Sequence, residues 1–264
     1  MAVGNKIETR GHIIGFKEEI SKAAAINDDL FFTWFDSAKD KHAAFIRGNW
    51  DFMIRIALPC SPYLANPENK IALEIGHGGG RILAAACNYF QKVVGVDIHD
   101  NNDKVDVELK SKGLISYQLM QTNGNEIPVE DSSIDLVYSF IVLQHVEKIS
   151  IFKNYLKEAF RILKAGGLAV LYFGRKGILS NNKRSKILFL MDKLAEPFLL
   201  PKGFQEIQAK VNCTNLVISL SHAKLLAKKE GFTVLSQLVS HKSVPDGIQL
   251  FGGQHGLVLK KNKD

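Results

Sequence analysis

Between Ile71 and Leu83 the chain reads IALEIGHGGGRIL, with four glycines in five residues directly behind an apolar run. Bare backbone at such a place lets main-chain amides and a following helix N-terminus approach a ligand, at a cost in conformational entropy that some use must offset. A dinucleotide fingerprint would need a glycine at the sixth position from Gly76, and that position is Arg81, so the nicotinamide reading weakens. What remains is an acid, Glu74, inside the end of the apolar run, with glycines at 76, 78 and 80. Asp97 follows seventeen residues past Gly80, ending VVGVD, where a carboxylate can accept both hydroxyls of a ribose.

These residues need a scaffold that brings strand ends together. From Ile71 onward short β-branched runs alternate with helical stretches, the pattern of a parallel sheet with crossover helices. Strands are expected over Ile71–Ile75, Val93–Asp97, Leu114–Met120, Ile134–Ser139, Leu168–Phe173, Thr233–Val239 and Ile248–Lys260. Helices are expected over Arg81–Phe90, Asn102–Lys112, Ile151–Lys164 and Ser219–Glu230. The last two strands are joined by HKSVPDG, too short for a crossover helix, so they should be antiparallel neighbours. The first seventy residues lack the alternation and read as a helical cap over one edge of the sheet, with an aromatic cluster at Phe31, Phe32, Trp34 and Phe35. Lys176–Asn212 interrupts the pattern after the fifth strand and carries SKILFLMDKLAEPFLL; at the ligand edge of an open sheet it reads as a lid. The expected organisation is therefore a cap over residues 1–70 and a sheet domain over 71–264 with a lid at 176–212.

Composition sets the outer bounds. The 264 residues are 46% hydrophobic and 23% charged, as in a packed globular protein rather than a fibrous or disordered one. The N-terminus reads as neither signal peptide nor anchor, and no apolar run is long enough to span a bilayer. Cys60, Cys87 and Cys213 are far apart and lack CxxC spacing, which argues against disulfides or structural zinc and for a cytoplasmic home. The net charge of +7 favours anionic partners; Arg175, Lys176, Lys183, Arg184 and Lys186 form a basic stretch without an acid.

Together the residues resemble the class I S-adenosylmethionine-dependent methyltransferases, in particular the broad group acting on small metabolites, over roughly Ile71 to Lys260. The resemblance implies an α/β, Rossmann-like seven-stranded sheet with an antiparallel last strand, helices on both faces, and S-adenosylmethionine as cofactor. It places Gly76, Gly78 and Gly80 under the amino-acid end of the cofactor, with Glu74 orienting the loop or reaching the ammonium through water. Asp97 matches the ribose-binding acid and Ile98 lies beside the adenine. In QTNGNEIPVEDSSIDLVYSF the family's adenine-binding aspartate falls on Asn123, whose amide oxygen can still accept, with the backbone of Gly124 donating. Ser139, at the end of the fourth strand, would border the methionine portion, and Arg47 would meet the cofactor carboxylate.

Methyl transfer is an in-line displacement, so the protein aligns an acceptor and excludes water. A hydroxyl acceptor gains from a base, and His145 in FIVLQHVEK, just beyond the fourth strand, is the candidate. His77 would shape the loop, His241 could touch substrate, His255 is structural, and Tyr63 and Trp34 could line an acceptor pocket. The chain lacks the Asn/Asp-Pro-Pro-aromatic sequence of DNA amino-methyltransferases, since Ser139 is followed by Phe140, Ile141 and Val142. Pro59-Cys60 precedes the first strand, away from where a cytosine-C5 nucleophile would stand, and GRKGI after Phe173 offers no acidic metal ligand. The expectation is O-methylation of a small-molecule or glycan-type acceptor, with no metal and against a nucleic-acid substrate. N-methylation, a lipid-linked acceptor reached by laying the basic lid on a membrane, and a non-catalytic cofactor-binding regulator are the alternatives; oligomeric state is left open.

Overall fold

The computed structural model describes residues 15–207, 211–242 and 250–262. In chain order the elements begin with α1 (Phe16–Ile26), α2 (Asp28–Trp34) and α3 (Lys41–Asp51), which runs into a π-helical turn (Phe52–Ala57) and the short α4 (Leu58–Cys60). The sheet region follows as β1 (Ile71–Ile75), α5 (Arg81–Ala86), β2 (Lys92–Asp97), α6 (Asn102–Ser111), β3 (Tyr117–Gln121) and β4 (Ile134–Ser139). Then come α7 (Ile149–Ile162), β5 (Leu163–Gly174), α8 (Lys186–Leu199), β6 (Phe204–Glu206), β7 (Leu216–Ile218), α9 (Leu220–Lys229), β8 (Phe232–Lys242) and β9 (Leu250–Lys261). Polar side chains start several helices: Asn27 accepts from Leu30 N at 2.8 Å for α2, and Asp40 accepts from Ala43 N at 2.8 Å for α3.

β3, β2, β1, β4 and β5 pair in that order and in parallel, and β9 lies antiparallel between β5 and β8. This is the expected sheet with its antiparallel last strand; residues 248 and 249 of the expected final strand, and most of its preceding connection, lie outside the described residues. β6 and β7 add a short antiparallel ribbon within and just beyond residues 176–212, attached in parallel to the end of β5 at Gly174. Its strands are three residues each, too short to show as a period in the sequence.

Alternation along the strands splits the core in two. Leu73, Val137, Leu171 and Phe173 pack with α7 and α9 on one face. Ala72, Leu136, Tyr138 and Tyr172 pack on the other with α5, α6 and the cap residues Phe31, Phe45, Phe52 and Ile56. The cap thus completes a helical layer on one face rather than covering an edge. Tyr172 Oη donates to Arg55 O at 3.1 Å, and Phe52 meets Tyr138 edge-on at 6.2 Å. Arg81 at the start of α5 donates to Asp51 at 2.6 Å and lies 3.5 Å from Asp36, tying the cap to the glycine loop.

Candidate active site

β1 lies between β2 and β4, the point where strand order reverses, and the crevice beyond the carboxyl ends of these strands is the natural ligand site of an open sheet. Here it is a cleft of about 950 Å³, open mouth included. Its floor is the loop after β1. Gly76 and Gly78 hold φ of +76° and +52°; a Cβ on Gly76 would collide with Val142 Cγ2, and one on Gly78 would stand 2.9 Å from the Phe35 ring. Both positions therefore demand glycine twice, for the left-handed backbone and for close packing of β4's exit and the cap against the loop.

Asp97 ends β2 inside the cleft. Its Oδ2 accepts from Gly78 N at 2.8 Å, and its Oδ1 accepts from Ile98 N at 2.7 Å and His99 N at 3.3 Å. Burial opposes charge on this carboxyl, and the adjacent histidines with the N–H donors more than offset it, holding it below the usual range. Oδ2 keeps a lone pair for a ligand hydroxyl.

His77, Asp97 and His99 bring their ligand atoms within 4.8 Å of one another, a grouping that could in principle hold a cation. Each histidine already spends one ring nitrogen on the Gly78 carbonyl, while His77 Nε2 is buried without a hydrogen bond. His99 Nδ1 accepts from Asn101 N at 3.1 Å, so its Nε2 carries the proton and donates to Gly78 O at 3.0 Å. His77 Nδ1 donates to the same carbonyl at 2.9 Å, and burial pushes its pKa down to about 4. The two histidines thus clamp the glycine loop through the Gly78 carbonyl.

Glu74 is buried at the cleft wall, and burial raises its pKa to about 8 against the opposing pull of Arg81. Tyr138 Oη donates to its Oε2 at 3.3 Å. A carboxyl poised this way ionises readily when a cationic ligand group arrives. His145 lines the same cleft. Its Nδ1 donates to Cys213 O at 2.6 Å, leaving Nε2 as the acceptor, which Gln144 Nε2 approaches at 3.2 Å. Burial lowers the His145 pKa, partly countered by the Cys213 hydrogen bond, which favours the neutral imidazole in a residue that lines the cleft. Ile141 holds φ of +76°, a conformation rare for a β-branched residue and often found where a backbone is held for function.

The cleft gathers the expected Glu74, Gly76, Gly78, Asp97, Ile98 and His145, together with His77 and Trp34. It leaves others out. Gly80 begins α5 and packs on Val105 instead. Asn123 spends its Oδ1 on Asn125 N at 2.8 Å and Glu126 N at 2.9 Å; neither it nor Gly124 lines the cleft, and Thr122 does. Ser139 Oγ is turned to Ile75 O at 3.0 Å, so Phe140, Ile141 and Val142 form that wall. Arg47 is exposed and donates to Asp36 O at 2.7 Å, away from the cleft. Tyr63 and His241 are also outside it, while His255 pairs with Glu196 at 3.2 Å. Cys60 is a buried thiol pushed up to about 12. Phe16, Tyr155 and Asn212 line the cleft without a local signal, since they reach it only through tertiary packing.

Fold and cleft together make an open α/β protein whose crevice at the switch point is lined by a carboxylate, a buried acid and apolar walls. Residues 73–171 match the family model described as a methyltransferase domain. A sterol 4-C-methyltransferase of Caenorhabditis elegans is 28% identical over 107 residues, 40% of this chain and 31% of that protein. A demethylmenaquinone methyltransferase of Staphylococcus carnosus is 35% identical over 88 residues, 33% of this chain and 35% of that protein. The chain thus matches about a third of the length of these curated relatives. An S-adenosylmethionine-dependent methyltransferase structure from Methanosarcina mazei shares the fold at 19% identity and a TM-score of 0.55, over 78% of this chain and 98% of that one. Residues 73–171 thus match a methyltransferase domain, and the fold is one that S-adenosylmethionine-dependent methyltransferases share. Among the described residues no helix is long and apolar enough to cross a membrane.

Proposed function

We propose that this chain methylates a small-molecule acceptor at oxygen, with S-adenosylmethionine as donor and His145 as the base. The observation that carries the reading is one cleft lined by Asp97, Glu74 and a His145 whose burial favours the neutral ring. When bound, the cofactor supplies an electrophilic methyl group on a sulfonium. In this reading Asp97 Oδ2 accepts a ribose hydroxyl, Thr122 and Ile98 border the adenine, and Glu74 answers the cofactor's positive charge, which the free lone pair of Asp97 Oδ2 and the shared cleft support. His145 Nε2 takes the acceptor's hydroxyl proton, its orientation fixed by the Cys213 carbonyl on the other nitrogen. The aromatic residues Phe16, Trp34 and Phe35 screen the cleft from water. Both curated relatives are named for small-molecule methylation, in line with this acceptor class.

An amine acceptor, which needs only a free lone pair, is the second reading; the Gln144 contact at 3.2 Å already partly occupies His145 Nε2. Transfer of a tritiated methyl group into fractionated small-molecule pools tests the proposal, followed by His145→Gln on the acceptor found. A hydroxyl acceptor with kcat falling about 10²-fold or more and losing its pH dependence supports it. An unchanged pH profile assigns His145 to packing, and cofactor binding without transfer to any pool favours a non-catalytic regulator.

A further inference from the structure

α8 is built inside out. A surface helix ordinarily buries its apolar stripe and shows its charges to water. Here Asp192 and Glu196 are 3% and 8% exposed, whereas Ile187, Leu194 and Phe198 are 73%, 66% and 86% exposed. Leu190 and Met191 are exposed on the same stripe, since positions 187, 190, 191, 194 and 198 repeat at the helical period.

The inversion is anchored rather than accidental. Asp192 Oδ1 accepts from Ile178 N at 3.1 Å and Leu179 N at 2.9 Å, and its Oδ2 accepts from Ser180 N at 2.8 Å and Ser180 Oγ at 2.6 Å. Arg175, itself buried, lies 3.5 Å from the same carboxylate and donates to Gly252 O. Arg175 is thus a structural cation, not one free to meet a substrate. Glu196 accepts from Leu220 N at 3.3 Å and pairs with His255 at 3.2 Å. Two buried carboxylates with this many partners hold the helix with its greasy side out.

The charges around that side have one sign. Lys186 and Lys193 run along one flank of the stripe, and Lys183, Arg184 and Lys202 stand exposed before and after the helix. The helix's own acids are the buried pair. At 14 residues it is roughly 21 Å long, right for lying in a bilayer interface and too short to cross one. A basic rim beside an outward apolar stripe is the pattern of a helix that rests on anionic lipid.

We propose that α8 seats this protein on the surface of an anionic bilayer, with Ile187, Leu190, Met191, Leu194 and Phe198 in the acyl boundary and the lysines at the headgroups. The lid segment that carries it continues to Asn212, which lines the cleft, and Cys213, which holds His145, so the bilayer face and the acceptor end of the cleft share one chain segment. The proposal does not depend on which acceptor is used, or on methyl transfer itself.

Sedimentation with vesicles tests it, comparing pure phosphatidylcholine with phosphatidylcholine containing phosphatidylserine. The expected result is partition onto the anionic vesicles alone, reversed by high salt. Leu194→Glu together with Phe198→Glu should cut partition at least tenfold, and Lys186→Glu or Lys193→Glu by about fivefold each. Both pairs of side chains stand in water, so the melting temperature and S-adenosylhomocysteine affinity should stay at wild-type values, which separates a lost surface from a lost fold. Equal partition of the glutamate variant, or no partition of the wild type onto anionic vesicles, would overturn the proposal. So would a wild-type dimer that Leu194→Glu and Phe198→Glu dissolve without any vesicle binding, which would assign the stripe to a second copy of this chain.

Discussion

α5 and α8 are both rich in apolar residues, and they follow opposite rules. Every residue of α5, Arg81 to Ala86, is buried, and its single charge is paired with cap acids. α8 buries its two carboxylates and leaves most of its apolar residues in water. The difference lies in what surrounds each helix. α5 is wedged between the sheet and the cap, where only apolar packing is available. α8 lies against a polar seam of free backbone amides at 178–180, Arg175 and His255, so acids are what satisfy it. An amphipathic pattern fixes that a helix has two faces, and only its tertiary partners decide which one turns inward.

The sharpest way to break this contrast is Asp192→Ala. It would strand the buried Arg175 charge and three backbone donors, and denaturant unfolding should show a loss of about 3–5 kcal/mol. By the same logic Leu194→Glu on the outer face should leave stability within about 0.5 kcal/mol. On the α5 side, Gly76→Ala forces a left-handed alanine against Val142, and a loss of about 2–4 kcal/mol together with weakened cofactor binding is expected in parallel unfolding and binding titrations.

A smaller effect reports on Glu74. Its folded pKa of about 8 lies above the ordinary carboxyl value, so the folded state holds a proton that the unfolded state releases between roughly pH 4.5 and 8. Stability should therefore fall as pH rises through that window, by at most about 1.4 kcal/mol per pH unit, and level off above it. Glu74→Gln should gain on wild type in melting temperature from pH 5 to pH 9 without cofactor; parallel curves would contradict the buried, protonated acid.

Local signals made the cofactor half readable. β1 and β4 begin and end at the residues expected from their apolar runs, and the glycines and Asp97 announce themselves by type and spacing. What stayed hidden depends on partners distant in sequence. Asn123 looks like an adenine contact until its oxygen is found closing a turn over Asn125 and Glu126. Ser139 looks like a cleft residue until its hydroxyl is seen bridging to β1. The cap was legible as helices with an aromatic cluster, but not that Phe35 would lie on Gly78 and Asn212 of the lid would donate to Trp34 O at 3.3 Å.

The central claim, that the crevice at the β1 and β2 ends is a cofactor site organised by Asp97, is tested most directly by titrating S-adenosylhomocysteine calorimetrically into the wild type and Asp97→Ala. Saturable one-to-one binding to the wild type, weakened about tenfold to a hundredfold by the substitution, is predicted from the lost charge-assisted hydrogen bonds. No binding to the wild type, or the same affinity in both proteins, would contradict it.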